Sequence, residues 1–226
     1  MAGALLLAGC DGGGGTVAQP LGGRVVTHAV GDADQARLEV VSGATVVRVR
    51  AADLGGQLFR AWTPDGSRVL PSATVDGGVV RLSLHDGAGP GDAELQVELN
   101  SKVAWEVRLD GGASEESLDL STGHLSALEF GAGSARIDAI LPRPSGTVPV
   151  RMTGGASTLD VHLPDGVPAR VLLAGGAGQA RIDGATHNGI AGGTTLSTAD
   201  WDGTADRYDL NLVAGVSAVS VDRVRT

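Results

Sequence analysis

The chain has one cysteine, Cys10, one lysine, Lys102, and only 3% aromatic residues in 226 positions. A single cysteine excludes an intramolecular disulfide and any cysteine-based metal site. With few aromatics, the interior has to be filled by Val, Leu, Ile and Ala, which suits many thin layers better than one thick core. After Cys10 no run approaches the about 18 consecutive apolar residues of a membrane-spanning helix. Sustained apolar spacing at three and four residues is also missing, so the pattern predicts almost no helix. The formal net charge of −9 repels phosphate backbones, and nucleic acid is excluded as an expected partner. The five histidines, His28, His85, His124, His162 and His187, form no HxH or HExxH spacing, and the chain has no GxSxG, Walker loop or dinucleotide fingerprint. No catalytic residue, cofactor or metal site is therefore expected.

Glycine is abundant, at 36 residues, and it punctuates short runs of alternating polarity. Arg24–Val30, Ala36–Val41, Thr45–Val49, Gln57–Ala61, Val79–Leu84 and Glu94–Leu99 each alternate and are bounded by SG, DLGG, PDG, DGG or DGAGPGD. Period two between turn signals means strands, and the class is all-β.

The second half of the chain repeats. GASEESLD at Gly112–Asp119 is followed by GAGSARID at Gly131–Asp138, GASTLD at Gly155–Asp160 and GAGQARID at Gly176–Asp183, in steps of 19, 24 and 21 residues. An independent marker, the order Leu-Pro, Gly, Val-Pro, Arg, begins at Leu141 and again 22 residues later at Leu163. One such unit cannot bury its own apolar row, so units must stack. The expectation is one β-solenoid or roll over residues 24–226, with Gly112, Gly131, Gly155 and Gly176 at stacked corners. GATVVRVR at Gly43–Arg50 and GVSAVSVD at Gly215–Asp222 look like divergent copies belonging at the two ends of the stack.

Repetition would bring Asp119, Asp138, Asp160 and Asp183 into a row. Such a row suits calcium, or the acids of a polysaccharide lyase or hydrolase; the competing reading is solvated aspartates leading into turns. The second is favoured, because the position that a GGxGxD calcium repeat gives to Asp is Ala180, and Arg136 and Arg181 stand two residues before an Asp on the same face. Among the aromatics, Trp105 alternates with Val103, Val107 and Leu109 and reads as core. Trp201, in the polar stretch STADWDGTADRYD, is the one candidate surface contact.

Cys10 closes an apolar segment as Leu7-Ala8-Gly9-Cys10, which resembles the bacterial lipobox, where the thiol receives a diacylglyceryl group. The competing reading is a free cysteine in an N-terminal tail. Residues 1–9 then form a signal segment, short and without Lys or Arg, so the true start is expected upstream. Residues 10–23, rich in Gly, read as the lipid-attachment cysteine and a flexible tether. Lipidation places the domain on the extracytoplasmic face of the membrane, with a membrane protein or cell-wall component as partner.

VAWEVRLDGGAS at Val103–Ser114, the paired LP, G, VPxR order and the DRYDL run within Trp201–Asp222 together resemble the toast-rack or putative-adhesin family of bacterial extracytoplasmic domains. Its members resemble the C-terminal domains of envelope-stress membrane proteins. The resemblance implies a membrane-attached β-solenoid without enzyme activity, and it carries over no functional residue. Two functions follow: a lipid-anchored interaction or structural module, which is preferred, and a carbohydrate-active β-helix enzyme.

Overall fold

The computed structural model describes residues 16–17, 20–21 and 23–224. Cys10 and the signal-like segment lie outside the described residues. All the regular structure described is strand, in one ten-stranded and one eleven-stranded sheet that face each other across a single core. The first sheet runs Thr16–Val17, Val69–Asp76, Val79–Asp86, Gln35–Val40, Ala104–Leu109, His124–Phe130, Thr147–Met152, Arg207–Leu212, Ala169–Leu173, Thr194–Ser197. The second runs Ala185–Ile190, Ala177–Ile182, Val216–Val224, Ala156–Pro164, Ser134–Ile140, Ala113–Asp119, Ala44–Ala52, Glu94–Asn100, Gln57–Trp62, Val25–Ala29, Pro20–Leu21.

Each repeat is a coil: a strand of the first sheet, a Gly corner, then a strand of the second. Successive coils pair in parallel, as expected for a stacked roll, and alternation sends every second side chain inward. Val80, Leu38, Val107, Leu128, Val150, Leu210 and Val171 form one unbroken aliphatic line across the first sheet. The facing line of the second sheet is Leu95, Val47, Glu116, Ile137, Leu159, Val219 and Ala180, with one charged residue in it.

The stacking order is not the chain order. Ala44–Ala52 lies between Glu94–Asn100 and Ala113–Asp119, and Val216–Val224 lies between Ala156–Pro164 and Ala177–Ile182. The two copies expected at the ends are thus interior. The ends are closed instead by antiparallel strands, Val69–Asp76 on Val79–Asp86 and Gln57–Trp62 on Glu94–Asn100 at one end, Ala185–Ile190 and Thr194–Ser197 at the other. A reversed strand ends a parallel stack without needing another coil. Two-residue turns with positive φ make the sharpest reversals: Gly77-Gly78 (φ 54 and 82) and Asp183-Gly184 (φ 45 and 85), as the right-handed strand twist requires. Val69–Asp76 escapes the sequence reading because Pro71 interrupts its alternation; its outer neighbour, Thr16–Val17, pairs only at Val75 and Thr74, so the missing N–H of Pro71 costs no bond to it. Thr16–Val17 and Pro20–Leu21, placed in the tether by composition, pair with sheet edges.

At the corners the register aligns Gly43, Gly112, Gly133, Gly155, Gly215 and Gly176. Gly133, and not Gly131, is the counterpart of Gly112; Gly131 stands two residues earlier, where a Cβ would meet Asp110 Oδ1 at 2.5 Å. Gly176 has φ +79. The preceding column alternates in the stack as Ser42, Gly111, Ala132, Gly154, Ala214, Gly175. A Cβ on Gly154 would sit 2.1 Å from the Ala132 backbone, and one on Gly111 2.1 Å from Ser42 O, so every second coil must lack the side chain.

Candidate functional site

The outer face of the second sheet gathers most of the unusual side chains. The register places Trp62, Gln96, Arg48, Ser117, Asp138, Asp160, Ser220 and Arg181 in one line across the strands. Adjacent strands are about 4.8 Å apart, so the line is a continuous polar track with one tryptophan at its end.

At that end a hollow of about 330 Å³ is lined by Trp62, Gln96, Arg48, Arg50, Ser117 and Asp119, with Val49 and Val97 beneath. Arg60 packs over the Trp62 ring, its guanidinium carbon 5.0 Å from the ring centre. Charges around the hollow are matched locally. Arg48 pairs with Glu94 and lies 3.9 Å from Glu115, and Arg50 pairs with Glu98. Gln96 Nε2 donates to Glu94 at 3.0 Å. Asp119 Oδ1 accepts from the Ser121 amide at 3.2 Å and its hydroxyl at 2.6 Å.

Further along the track, Arg136 donates to Asp160 at 2.7 Å and Ser220 Oγ donates to the other oxygen of Asp160 at 2.7 Å. His162 Nδ1 lies 2.5 Å from Asp222 Oδ1, with its Nε2 3.7 Å from Asp138. The expected row of four aspartates is only half formed. Asp138 and Asp160 are neighbours, but Asp119 registers with Ile140 and Arg50, one step off the line, and Asp183 occupies a hairpin turn. Arg136 does neutralise an aspartate of the row, but it is Asp160 of the neighbouring strand and not Asp138, two residues on in its own. The partner of Asp183 is Arg223, at 2.9 Å, in place of Arg181. Among the described residues no group of three or more His, Cys, Asp or Glu is arranged to hold a metal ion.

Trp201 requires a correction. It is only 8% exposed, with the guanidiniums of Arg170 and Arg207 4.6 and 4.2 Å from its ring centre. Those two arginines come from strands that register with each other's coil, so a loop that reads as polar folds its tryptophan under them. Trp62 is the half-exposed tryptophan, while Trp105 is buried and donates to Asn100 O at 3.0 Å.

Glu116 is the charged residue in the core line. It is 1% exposed, and neither of its oxygens nor the nearby buried Ser134 hydroxyl has a hydrogen-bond partner of good geometry. Burial pushes its carboxyl from the ordinary 4.5 up to about 7, a shift that Ser134 only partly opposes. The sequence carried the signal: the alternation that points Leu118 and Leu120 inward also points Glu116 inward.

The first sheet differs on its outer face. Arg81, Glu39, Arg108, Glu129 and Arg151 register as a line of alternating sign. Arg81 donates twice to Glu39, at 2.7 and 3.1 Å, and Arg108 and Arg151 flank Glu129 at 3.5 and 3.9 Å.

No family model and no curated protein matches the chain. Its structure is similar to that of a putative cell adhesion protein from Clostridium sporogenes, with a TM-score of 0.64 and 18% identity over 88% of this chain and 98% of that one. At this identity the likeness shows a shared fold. A putative adhesin from Bacteroides fragilis aligns over 88% of this chain and 97% of that one, at 7% identity and a TM-score of 0.27, too low to carry argument.

Proposed function

We propose that this chain is a non-enzymatic interaction module of the bacterial cell envelope, anchored to the extracytoplasmic face of the membrane through a diacylglyceryl group on Cys10. The observation that carries the non-enzymatic part is the state of the carboxylates on the outer face of the second sheet. Asp160 is tied by Arg136 and Ser220, and Asp222 by His162, so the track offers partnered carboxylates in place of a free acid and base. The adjacency of Asp138 and Asp160 favours the second reading, a carbohydrate-active enzyme, and the tying of Asp160 weighs against it. The adhesion protein of the same fold supports a surface role, and the family resemblance adds a link to envelope-stress regulation.

The address rests on Cys10 standing directly after Leu-Ala-Gly. Two acyl chains at ~0.8 kcal/mol per buried CH₂ hold stably where one is marginal. With Thr16–Val17 paired to a sheet edge, the chain between Cys10 and Thr16 spans at most about 20 Å. Partners within reach are a membrane protein, a neighbouring lipoprotein or inner cell-wall material. The test expresses the full-length gene and compares fractionation and intact mass of the native protein and Cys10→Ser. The native form is expected in the membrane fraction with an acyl mass increment, and the variant without either. Two cytosolic forms of unmodified mass would refute the anchor.

A further inference from the structure

We propose that the hollow beside Trp62 is a binding subsite for an uncharged glycan, an assignment that rests on the reading of the chain as an interaction module. Three features of the hollow choose this ligand class. The first is its shape and lining. Trp62 closes one end and Ser117 and Asp119 the other, three strand steps away, about 14 Å and room for a di- or trisaccharide. The floor is the backbone at Val49 and Val97, whose side chains turn into the core. A pyranose ring has an apolar C–H face and a rim of hydroxyls, and so needs an apolar surface with polar groups around it; Trp62 supplies the surface.

The second is the type of polar group. Gln96 offers an amide that both donates and accepts, Arg48 and Arg50 offer only donors, Asp119 only acceptors, and Ser117 either. Vicinal hydroxyls donate and accept at once, and a mixed set of this kind satisfies both needs. Arg60 over the ring and the Glu94 and Glu98 pairs fix these groups in place before any ligand arrives, so less ordering entropy is lost on binding.

The third is charge. Arg48 pairs with Glu94 beside Glu115, Arg50 and Arg60 share Glu98, and Asp119 faces them, so the cations of the hollow are matched by as many carboxylates and give no preference for an acidic polymer. Nearby Asp138 and the net charge of −9 add repulsion against one. A neutral saccharide meets neither cost. The hollow also lies on strands close to the sheet edge that Pro20–Leu21 completes, the end of the roll from which the proposed tether leaves, which brings it within reach of inner wall glycan.

The experiment titrates the full chain with neutral chitohexaose and cellohexaose, and in parallel with polygalacturonate and hyaluronan, by calorimetry and tryptophan fluorescence. Because Trp105 and Trp201 are buried, a fluorescence change reports Trp62. A neutral oligosaccharide is expected to bind saturably with little dependence on salt. Trp62→Ala should weaken it at least about tenfold, and Asp119→Asn, at an exposed position, should weaken it without altering the melting temperature. Binding of the acidic polymers alone, no saturable binding to a neutral hexasaccharide at millimolar concentration, or affinity unchanged in a folded Asp119→Asn and Trp62→Ala pair would each overturn the subsite. Failure here with Cys10 acylation intact removes the glycan and leaves the envelope module. Release of new reducing ends from a bound glycan, lost in Asp160→Asn, would instead remove the non-enzymatic reading.

Discussion

The two sheets share one core and one set of corners, yet they treat polar residues in opposite ways. The first sheet has an unbroken aliphatic line inside and a zipper of alternating Arg and Glu outside. The second interrupts its inner line with Glu116 and carries the tryptophan-ended track and hollow outside. It holds a buried acid that opposes folding and an outer face whose side chains are arranged around an opening. A sheet that departs from its own pattern on both faces, while its partner does not, is where a functional surface is expected.

The largest test of this contrast is to give the second sheet the inner line of the first. Glu116 has its carboxyl raised in the folded state, so the unfolded chain ionises first. Its contribution to stability is intact below about pH 4.5, declines as pH rises and is lost once pH passes about 7. The full loss is about 3 kcal/mol. Thermal melts at pH 5 and pH 8 should show Glu116→Gln more stable than the native chain at pH 8 and nearly equal to it at pH 5. Glu116→Val, matching Val47 beside it, should gain further from packing. Equal offsets at the two pH values would mean that the carboxylate reaches solvent or a partner in solution.

A smaller effect comes from opening the zipper of the first sheet. Glu39 is buried against Arg81, with Arg108 registered on its other side and Arg37 3.9 Å away. Glu39→Ala leaves three guanidiniums facing each other and should cost about 1–2 kcal/mol in denaturant unfolding, less at high salt. Glu94→Ala on the second sheet frees Arg48 and Gln96 toward the hollow and should cost no more than about 0.5 kcal/mol. If the Glu94 variant proved the weaker, the division between a structural and an open outer face would be wrong.

Much of this architecture is written in local pattern. Alternation in Ala36–Val41, Gln57–Ala61 and Glu94–Leu99 gives strands, and the recurring Gly corners give stacked coils. What local pattern does not encode is which coil neighbours which. Gly43–Arg50 and Gly215–Asp222 look like worn end copies, and only the hairpins that cap the stack leave interior places for them. GAGS at Gly131–Ser134 offers two glycines in similar context, and only the register with the neighbouring coil shows that Gly133 is the counterpart of Gly112. Burial of Trp201 depends on Arg207, six residues on, and on Arg170, several strands back in the chain, whereas Trp62 stays half open because its neighbours across the sheet are Val25 and Gln96.

The smallest expected effect bears on the acidic end of the track, where the second sheet most resembles a metal-binding surface. Calcium takes six to eight oxygens at 2.3–2.6 Å. To supply even three carboxylates here, the ion would have to displace Arg136 from Asp160 and His162 from Asp222, and Asp183 is held away by its turn and by Arg223. Displaced Arg136 is itself a cation that would then face the metal. A native-state ligand at a hundred times its dissociation constant stabilises by about 2.7 kcal/mol, which for a domain of this size raises the melting temperature by about 5–10 °C. Millimolar calcium should therefore leave the melting temperature where it is, in the native chain and in Asp160→Asn alike. A rise of several degrees in the native chain that Asp160→Asn abolishes would show that the ion pairs exchange readily for metal, and that the track, more than the hollow, is the working part of this face.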